Sequence, residues 1–131
     1  MRFLLLLLAL TFSTAQADHV PEEGTMVPVP LMVCDTRDAL DYVWSVHEDA
    51  GEEGGSAAMN LMTETPSPIN EGSRLCGYMQ GPWVLGETVR RGWLGFGSKE
   101  VWMVVTRVKS LRDGREYFAM LKADSEFRTR M

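Results

Sequence analysis

The chain has 131 residues, of which 45% are hydrophobic, and its 18 acidic and 13 basic residues give a net charge of −5. This length suits a single domain that can bury a core without the help of a metal or several disulfides. The acidic balance argues against nucleic acid as the partner, because phosphate backbones attract basic surfaces.

The first 17 residues predict a cleaved secretory signal peptide. Arg2 supplies a positive start, and residues 3–12 form an apolar run that contains five consecutive leucines. The sequence Ala15-Gln16-Ala17 then offers a small-x-small cleavage site before Asp18. Because the apolar run is too short to cross a bilayer, we expect a secreted, periplasmic protein with no transmembrane segment in the mature chain.

Residues 18–33 contain three prolines and predict an extended arm, whose last part, 27–33, could form an edge strand. Cys34 and Cys76 are the only cysteines, and an exported chain meets an oxidising compartment, so we predict a disulfide between them. Closing this loop of 42 residues should stabilise the fold by about 4 kcal/mol in the chain-entropy treatment. The bridge would join a helical half of the chain to a strand-rich half.

The segment after Cys34 carries a helical pattern. Asp35 or Thr36 can serve as the N-cap, and the residues that follow predict a helix over 37–50. The spacing i, i+3, i+4 and i+7 defines its inward face: Leu40, Val43, Trp44 and His47.

A second helix is predicted before Cys76. Gly51 supplies a left-handed stop, residues 52–55 predict a flexible turn, and residues 57–63 predict a shorter helix. The short connection predicts an antiparallel helical hairpin.

After Cys76 the pattern becomes that of strands. The predicted strands cover residues 78–79, 83–89, 101–105 and 117–122. Val101 to Val105 is apolar at five successive positions, which predicts a central strand covered on both faces. Gly92, Gly95 and Gly97 predict either a tight hairpin or a wide loop, and Asp113-Gly114 predicts a two-residue hairpin turn.

Helices followed by strands predict an α+β domain over residues 34–123, with a polar tail at 124–131. We expect the helical hairpin to pack on a bent antiparallel sheet of three to five strands, with a small open barrel as the alternative. Residues 18–72 hold twelve acids and one base, whereas residues 73–131 hold six acids and eleven bases. We therefore expect the helices and the sheet to attract each other, with one charged face presented outward to a partner as the alternative.

Four short pieces of the sequence occur in a fixed order: Cys34-Asp35-Thr36, Ala57-Ala58-Met59-Asn60, Cys76-Gly77 and Gly86-Glu87-Thr88-Val89. This series resembles small secreted bacterial proteins to which no chemistry is assigned. The resemblance implies a Gram-negative periplasmic setting and the disulfide, and it transfers no functional residue.

Catalytic chemistry has little material in this sequence. A serine or cysteine nucleophile needs a histidine base, and only His19 and His47 are present. His19 lies in the arm, and His47 closes an apolar helical face, where a packed histidine is expected. Glu87 is the most interesting carboxylate, although Arg90 or Arg107 could neutralise it. We predict no catalytic residue.

Copper binding is a further hypothesis. A mature terminus at Asp18-His19 could hold Cu(II), and the thioethers of Met59 and Met62 suit Cu(I). Met62 also fits the inward face of the second predicted helix, and methionine is a common core residue. We therefore predict no metal site and no cofactor.

A basic and aromatic segment is the leading candidate for binding. It comprises Arg90, Arg91, Trp93, Phe96 and Lys99, with Trp83 and Arg107 nearby. The leading hypothesis is a small exported, non-enzymatic binding or interaction module that uses this surface. The partner would be a protein, an anionic glycan or a lipid headgroup. The alternatives are a carboxylate-dependent hydrolase or lyase acting on cell-wall or glycan material, and a periplasmic copper-handling protein.

Overall fold

The computed structural model describes residues 20–123; the predicted signal peptide, Asp18-His19 and the predicted tail at 124–131 lie outside the described residues. Within 20–123 the chain forms one helix and six strands: β1 (Met26–Val27), β2 (Leu31–Cys34), α1 (Arg37–Glu64), β3 (Cys76–Met79), β4 (Trp83–Phe96), β5 (Lys99–Ser110) and β6 (Glu116–Lys122). The predicted α+β class is confirmed.

Helix α1 begins at a capped end and bends once. The Thr36 hydroxyl accepts a hydrogen bond from the backbone N–H of Ala39 at 3.3 Å. Gly51 has φ 79° and ψ −168°, a combination that only glycine adopts without strain. A straight helix of 28 residues would span about 42 Å, yet the Ser67 hydroxyl donates to the Asp35 carboxylate at 2.5 Å. The two arms of α1 therefore fold back on each other at Gly51.

The predicted helical hairpin is matched in part. The stop at Gly51 is correct, whereas the predicted flexible turn over 52–55 is wrong, because these residues are helical. The single residue with positive φ reverses the chain, so no longer turn is needed. Gly55 packs against the His47 ring of the first arm, where an added Cβ would collide with that ring.

The six strands form one antiparallel sheet in the order β1-β4-β5-β6-β2-β3. The predicted three to five strands were too few, because residues 27–33 contribute to two strands, β1 and β2, instead of one. Strand β4 continues through the glycine-rich stretch. Of the two alternatives left open there, the tight hairpin is correct, because Phe96 lies opposite Lys99 across a two-residue turn. The β4–β5 ladder shifts register between Leu85 and Arg90.

The sheet curls into a half-barrel. β1 and β2 lie on opposite sides of β4, β5 and β6, yet only residues 28–30 separate them in the chain. A link this short requires the sheet to bend until the two strands approach. The predicted edge strand over 27–33 is thus split at Pro28 and Pro30, neither of which has an N–H to give to a ladder.

The sheet is covered on both faces. One buried cluster fills the concave side: Val27, Leu31, Val33, Trp83, Leu85, Val104, Val108, Tyr117, Ala119, Leu121 and Ala123. The other joins the sheet to α1: Cys34, Ala39, Leu40, Trp44, Cys76, Leu94, Met103 and Val105. Val104 and Val105 belong to different clusters, which confirms the prediction of a central strand buried on two sides.

The predicted disulfide is confirmed. Cys34 and Cys76 lie directly opposite each other on β2 and β3 and are bonded, with both side chains buried. The bond holds edge strand β3 beside the start of α1.

The described residues include no helix with the length and apolarity needed to cross a membrane.

Candidate functional site

The seven predicted binding residues divide between the two faces of the sheet. Arg90, Phe96, Lys99 and Arg107 lie on the helix side, whereas Arg91, Trp93 and Trp83 lie on the concave side, where Trp83 is buried and Arg91 and Trp93 are exposed. Side chains alternate along a strand, so neighbours in the sequence point to opposite faces. The structure therefore does not bring the predicted set together as one surface.

Arg90 is used within the fold. Its guanidinium lies 3.0 Å from the Asp41 carboxylate, 3.7 Å from that of Glu48, and 4.8 Å from the centre of the Trp44 ring. Arg37 adds a second contact to Asp41 at 3.3 Å. These pairs are the expected attraction between an acidic helix and a basic sheet, and they commit Arg90 to holding α1 on β4.

Arg107 is likewise paired. Its guanidinium lies 3.5 Å from the Glu87 carboxylate, 3.9 Å from that of Glu116, and 5.2 Å from the centre of the Phe118 ring. The prediction that an arginine such as Arg107 neutralises Glu87 is confirmed. The Glu87 side chain is 66% exposed, so it does not lie in an enclosed cleft.

His47 is a packed histidine, as predicted. Its ring is buried, lies 4.7 Å from the Phe96 ring, and places Nε2 at 2.6 Å from the carbonyl oxygen of Gly95. Because a carbonyl oxygen only accepts, Nε2 carries the proton and donates. This contact ties the first arm of α1 to the outer edge of β4.

Trp83 and Lys99 occupy contrasting environments. Trp83 is fully buried and meets the Tyr117 ring edge-on at 5.8 Å. Its indole N–H has no hydrogen-bond partner among residues 20–123. Lys99 is exposed at the tip of the β4–β5 hairpin. Trp83 therefore contributes to the core and not to an accessible surface.

Arg91 and Trp93 are the accessible members of the set. The Trp93 side chain is 52% exposed and packs edge-on against the Trp102 ring, with 5.2 Å between ring centres. Arg91 is exposed on the same face and makes no ion pair with any residue that the structure describes. We call Arg91, Trp93 and Trp102 the Trp93 surface.

The sequence prediction omitted Trp102 from this surface. A two-residue turn at Gly97-Ser98 places Phe96 opposite Lys99, and counting back along both strands then places Trp93 opposite Trp102. The pairing of Trp93 with Trp102 can thus be counted from the sequence, but only if the tight hairpin is chosen over the wide loop.

A cleft of about 670 Å³ lies at the other edge of the sheet, beside β3. Its polar lining comes from Asp35, Asn60, Thr63, Asn70, Ser73, Arg74, Tyr78 and Tyr117. Several of these groups bond within the chain: Asn70 donates to the Ser73 hydroxyl at 2.9 Å, and Arg74 donates to the carbonyl oxygen of Glu64 at 3.2 Å. A hydrogen-bonded loop thus forms one side of the cleft, and residues of α1, β2, β3 and β6 form most of the rest.

The loop between β5 and β6 holds the groups with shifted pKa values. The backbone N–H of Arg115 donates to the Asp113 carboxylate at 2.8 Å and lowers its pKa, and the Tyr117 hydroxyl donates to it at 2.9 Å. Burial raises the pKa of Tyr117, and its bond to Asp113 adds to the effect. The predicted two-residue turn is wrong, since the loop runs over 111–115, with Gly114 at φ 73°.

Potential metal ligands are dispersed. Within residues 20–123 no three His, Cys, Asp or Glu side chains are grouped so that they could hold a metal ion. Met59 and Met62 pack against the helix-side core, and the predicted copper ligands Asp18 and His19 lie outside the described residues.

Comparison of the chain with known protein families, with curated proteins and with solved structures gives no match. The resemblance to small secreted bacterial proteins stays a prediction.

Proposed function

We propose that the protein is an exported, non-enzymatic binding or interaction module and that its partner contacts the Trp93 surface. One observation carries this proposal: a half-exposed tryptophan, held in place by a second tryptophan, lies beside an exposed arginine that has no ion-pair partner in the described part of the chain. Exposed aromatic surface of this kind gains free energy when a partner covers it.

The side chains define the chemistry of the partner. The Arg91 guanidinium can form two parallel hydrogen bonds with a carboxylate or phosphate, and the Trp93 ring offers a flat apolar face. The contact with Trp102 already restricts the Trp93 ring, so less side-chain entropy is lost on binding. This combination fits a protein surface, an anionic glycan or a lipid headgroup.

Export is part of the same proposal. The disulfide between Cys34 and Cys76 suits an oxidising compartment, in agreement with the predicted signal peptide at residues 1–17.

The hydrolase and copper alternatives receive less support. Glu87, on which the hydrolase alternative depends, is exposed and paired with Arg107. His47, the histidine nearest in sequence to Met59 and Met62, donates to a backbone carbonyl and packs on Phe96.

The test measures retention of the mature protein on three surfaces: an immobilised anionic glycan, vesicles with anionic headgroups, and immobilised periplasmic proteins. Trp93→Ala and Arg91→Glu should each abolish retention on the surface that binds the wild type. Leu111→Ala and Arg112→Glu are matched controls, because both residues are exposed in the β5–β6 loop, and they should retain binding.

Two results would overturn the proposal. One is equal retention of Trp93→Ala and the wild type. The other is a wild type that passes all three surfaces unretained. Circular dichroism and thermal unfolding of each variant show whether the fold is kept. Arg90 is left unchanged throughout, because its contacts with Asp41 and Trp44 stabilise the packing of α1.

A further inference from the structure

The outer edge of β4 carries open backbone hydrogen-bonding groups. The N–H of Ala123 donates to the carbonyl oxygen of Trp102 at 3.0 Å, so the Trp102 backbone turns towards β6. Trp102 lies directly opposite Trp93, and residues directly opposite on antiparallel strands either both bond to each other or both turn away. The N–H and C=O of Trp93 therefore point away from β5, as do those of Arg91, two residues earlier.

This open stretch is bounded on both sides. On one side the carbonyl oxygen of Val89 accepts from Arg37 at 3.1 Å, and on the other that of Gly95 accepts from His47 at 2.6 Å. β1 pairs with β4 only near Trp83, at the start of the strand. Among residues 20–123, no strand pairs with the outer edge of β4 at 91–93.

We propose that a second copy of this chain binds here, with the two β4 edges antiparallel about a two-fold axis. Arg91 of each copy lies opposite Trp93 of the other. The two open N–H groups and two open carbonyls of one copy then meet the same groups of its mate, and four hydrogen bonds form. An unpaired edge strand is a ready template for such pairing.

Charge complementarity selects this arrangement. It places the Arg91 guanidinium of each copy beside the Trp93 ring of the other, whose face attracts cations. A shifted register with Arg91 opposite Arg91 would bring like charges together. Shifting in the other direction would place Arg91 opposite Gly95, whose carbonyl oxygen already accepts from His47.

The inference rests on the proposed function, because it names the partner of the Trp93 surface as a second copy of the chain. The contact is short, and stable protein interfaces bury about 1,200–2,000 Å² in total. We therefore expect a reversible dimer that forms as the protein concentration rises.

The experiment is sedimentation velocity of the mature protein across the micromolar and millimolar ranges. Arg91→Pro removes an N–H that has no partner in the described part of the chain, at an edge position that tolerates proline. Tyr78→Pro is the matched control on the other sheet edge. The backbone N–H of Asp35 donates to the carbonyl oxygen of Leu75, so the Leu75 backbone points towards β2. Backbone direction alternates along a strand, so the N–H of Tyr78, three residues later, points away from β2 and faces outward.

We expect the wild type and Tyr78→Pro to dimerise with equal affinity and Arg91→Pro to bind at least ten-fold more weakly. Arg91→Glu keeps the backbone donor and removes the cation, so it should also weaken the dimer. It serves as the test if Arg91→Pro fails to fold. A wild type that stays monomeric at millimolar concentration would overturn the inference. So would an Arg91→Glu or Arg91→Pro variant that dimerises like the wild type.

The two proposals fail separately. Retention that depends on Trp93, in a protein that stays monomeric, would leave the binding module standing and reject the second copy as its partner. A dimer that depends on Arg91, with no retention on the glycan, vesicle or protein surfaces, would overturn those three proposed partners and leave the second copy as the partner of the Trp93 surface.

Discussion

Removal of the disulfide between Cys34 and Cys76 is expected to lower the free energy of unfolding by about 4 kcal/mol. The bond spans 42 residues, a loop that contains all of α1, and the entropy lost by closing a loop of this length corresponds to about 4 kcal/mol. Both sulfur atoms are buried between α1 and the sheet, where alanine stays apolar. For a domain of this size the loss lowers the melting temperature by about 15 °C.

The assay is urea unfolding followed by circular dichroism, with Cys34→Ala/Cys76→Ala compared with the oxidised wild type. The wild type after reduction is the control, because it keeps both sulfur atoms and lacks only the covalent bond. The two should agree within about 2 kcal/mol, because the variant also loses two methyl-sized groups from the core, at about 1 kcal/mol each. A loss below about 1 kcal/mol in both samples would refute the loop-entropy reasoning.

Three further predictions concern single residues. Gly51→Ala should lower the free energy of unfolding by about 1–3 kcal/mol, because an alanine is strained at φ 79°. Gly77 has open space around it, so Gly77→Ala should change the free energy of unfolding by less than about 0.5 kcal/mol in the same urea experiment. Arg90→Ala should cost about 1–2 kcal/mol through its lost carboxylate and ring contacts, while Arg91→Ala should be neutral; equal losses would show that Arg90 does not hold the helix. A backbone N–H lowers the pKa of Asp113 in the folded state. The Asp113 carboxylate therefore contributes to the free energy of unfolding above the ordinary carboxyl pKa, and this contribution is lost as the pH falls through the folded pKa. Asp113→Asn should flatten the fall of the melting temperature below about pH 4, and an unchanged acid profile would contradict this.

The first arm of α1 could be predicted because its signals are local. The cap at Thr36, the apolar face ending at His47 and the stop at Gly51 all lie within a few turns of the chain. Residues 52–55 have the pattern of a turn because they are two glutamates and two glycines that directly follow Gly51. They are helical because the second arm packs against the first, where Gly55 lies beside the His47 ring. That contact joins the two arms of α1, and hydrophobic periodicity along one segment cannot predict a contact between two arms.

The sequence predicts the strand whose residues are continuously buried, but not the strands that depend on partners far along the chain. β5 could be recognised from its run of apolar residues, since both of its faces are covered. The split of 27–33 into β1 and β2 depends on Trp83 and Ala119, which follow far along the chain. Proline alone indicated an edge strand, whereas β2 lies between β6 and β3.

The residue types of the candidate site could be predicted, but their faces could not. Two register shifts between Leu85 and Arg90 interrupt the alternation of β4, and the count from Trp83 gives the side of Arg90 only because the two shifts cancel, which the sequence does not indicate. Arg90 turns to the acidic helix, while Arg91 turns to Trp93 and the solvent. Composition indicated a basic aromatic cluster, but side chains alternate along the strand, so its members lie on two faces of the sheet.

The short link at residues 28–30 also constrains the order in which the chain can fold. Val27 pairs with Trp83 and Val33 pairs with Ala119, so the strands nearest the N-terminus wait for partners that are synthesised later. β4, β5 and β6 pair with their neighbours in sequence, and we expect this meander to form first. A polypeptide that is synthesised N-terminus first keeps β1 unpaired until β4 has followed, and it leaves one edge of β2 unpaired until β6 has followed.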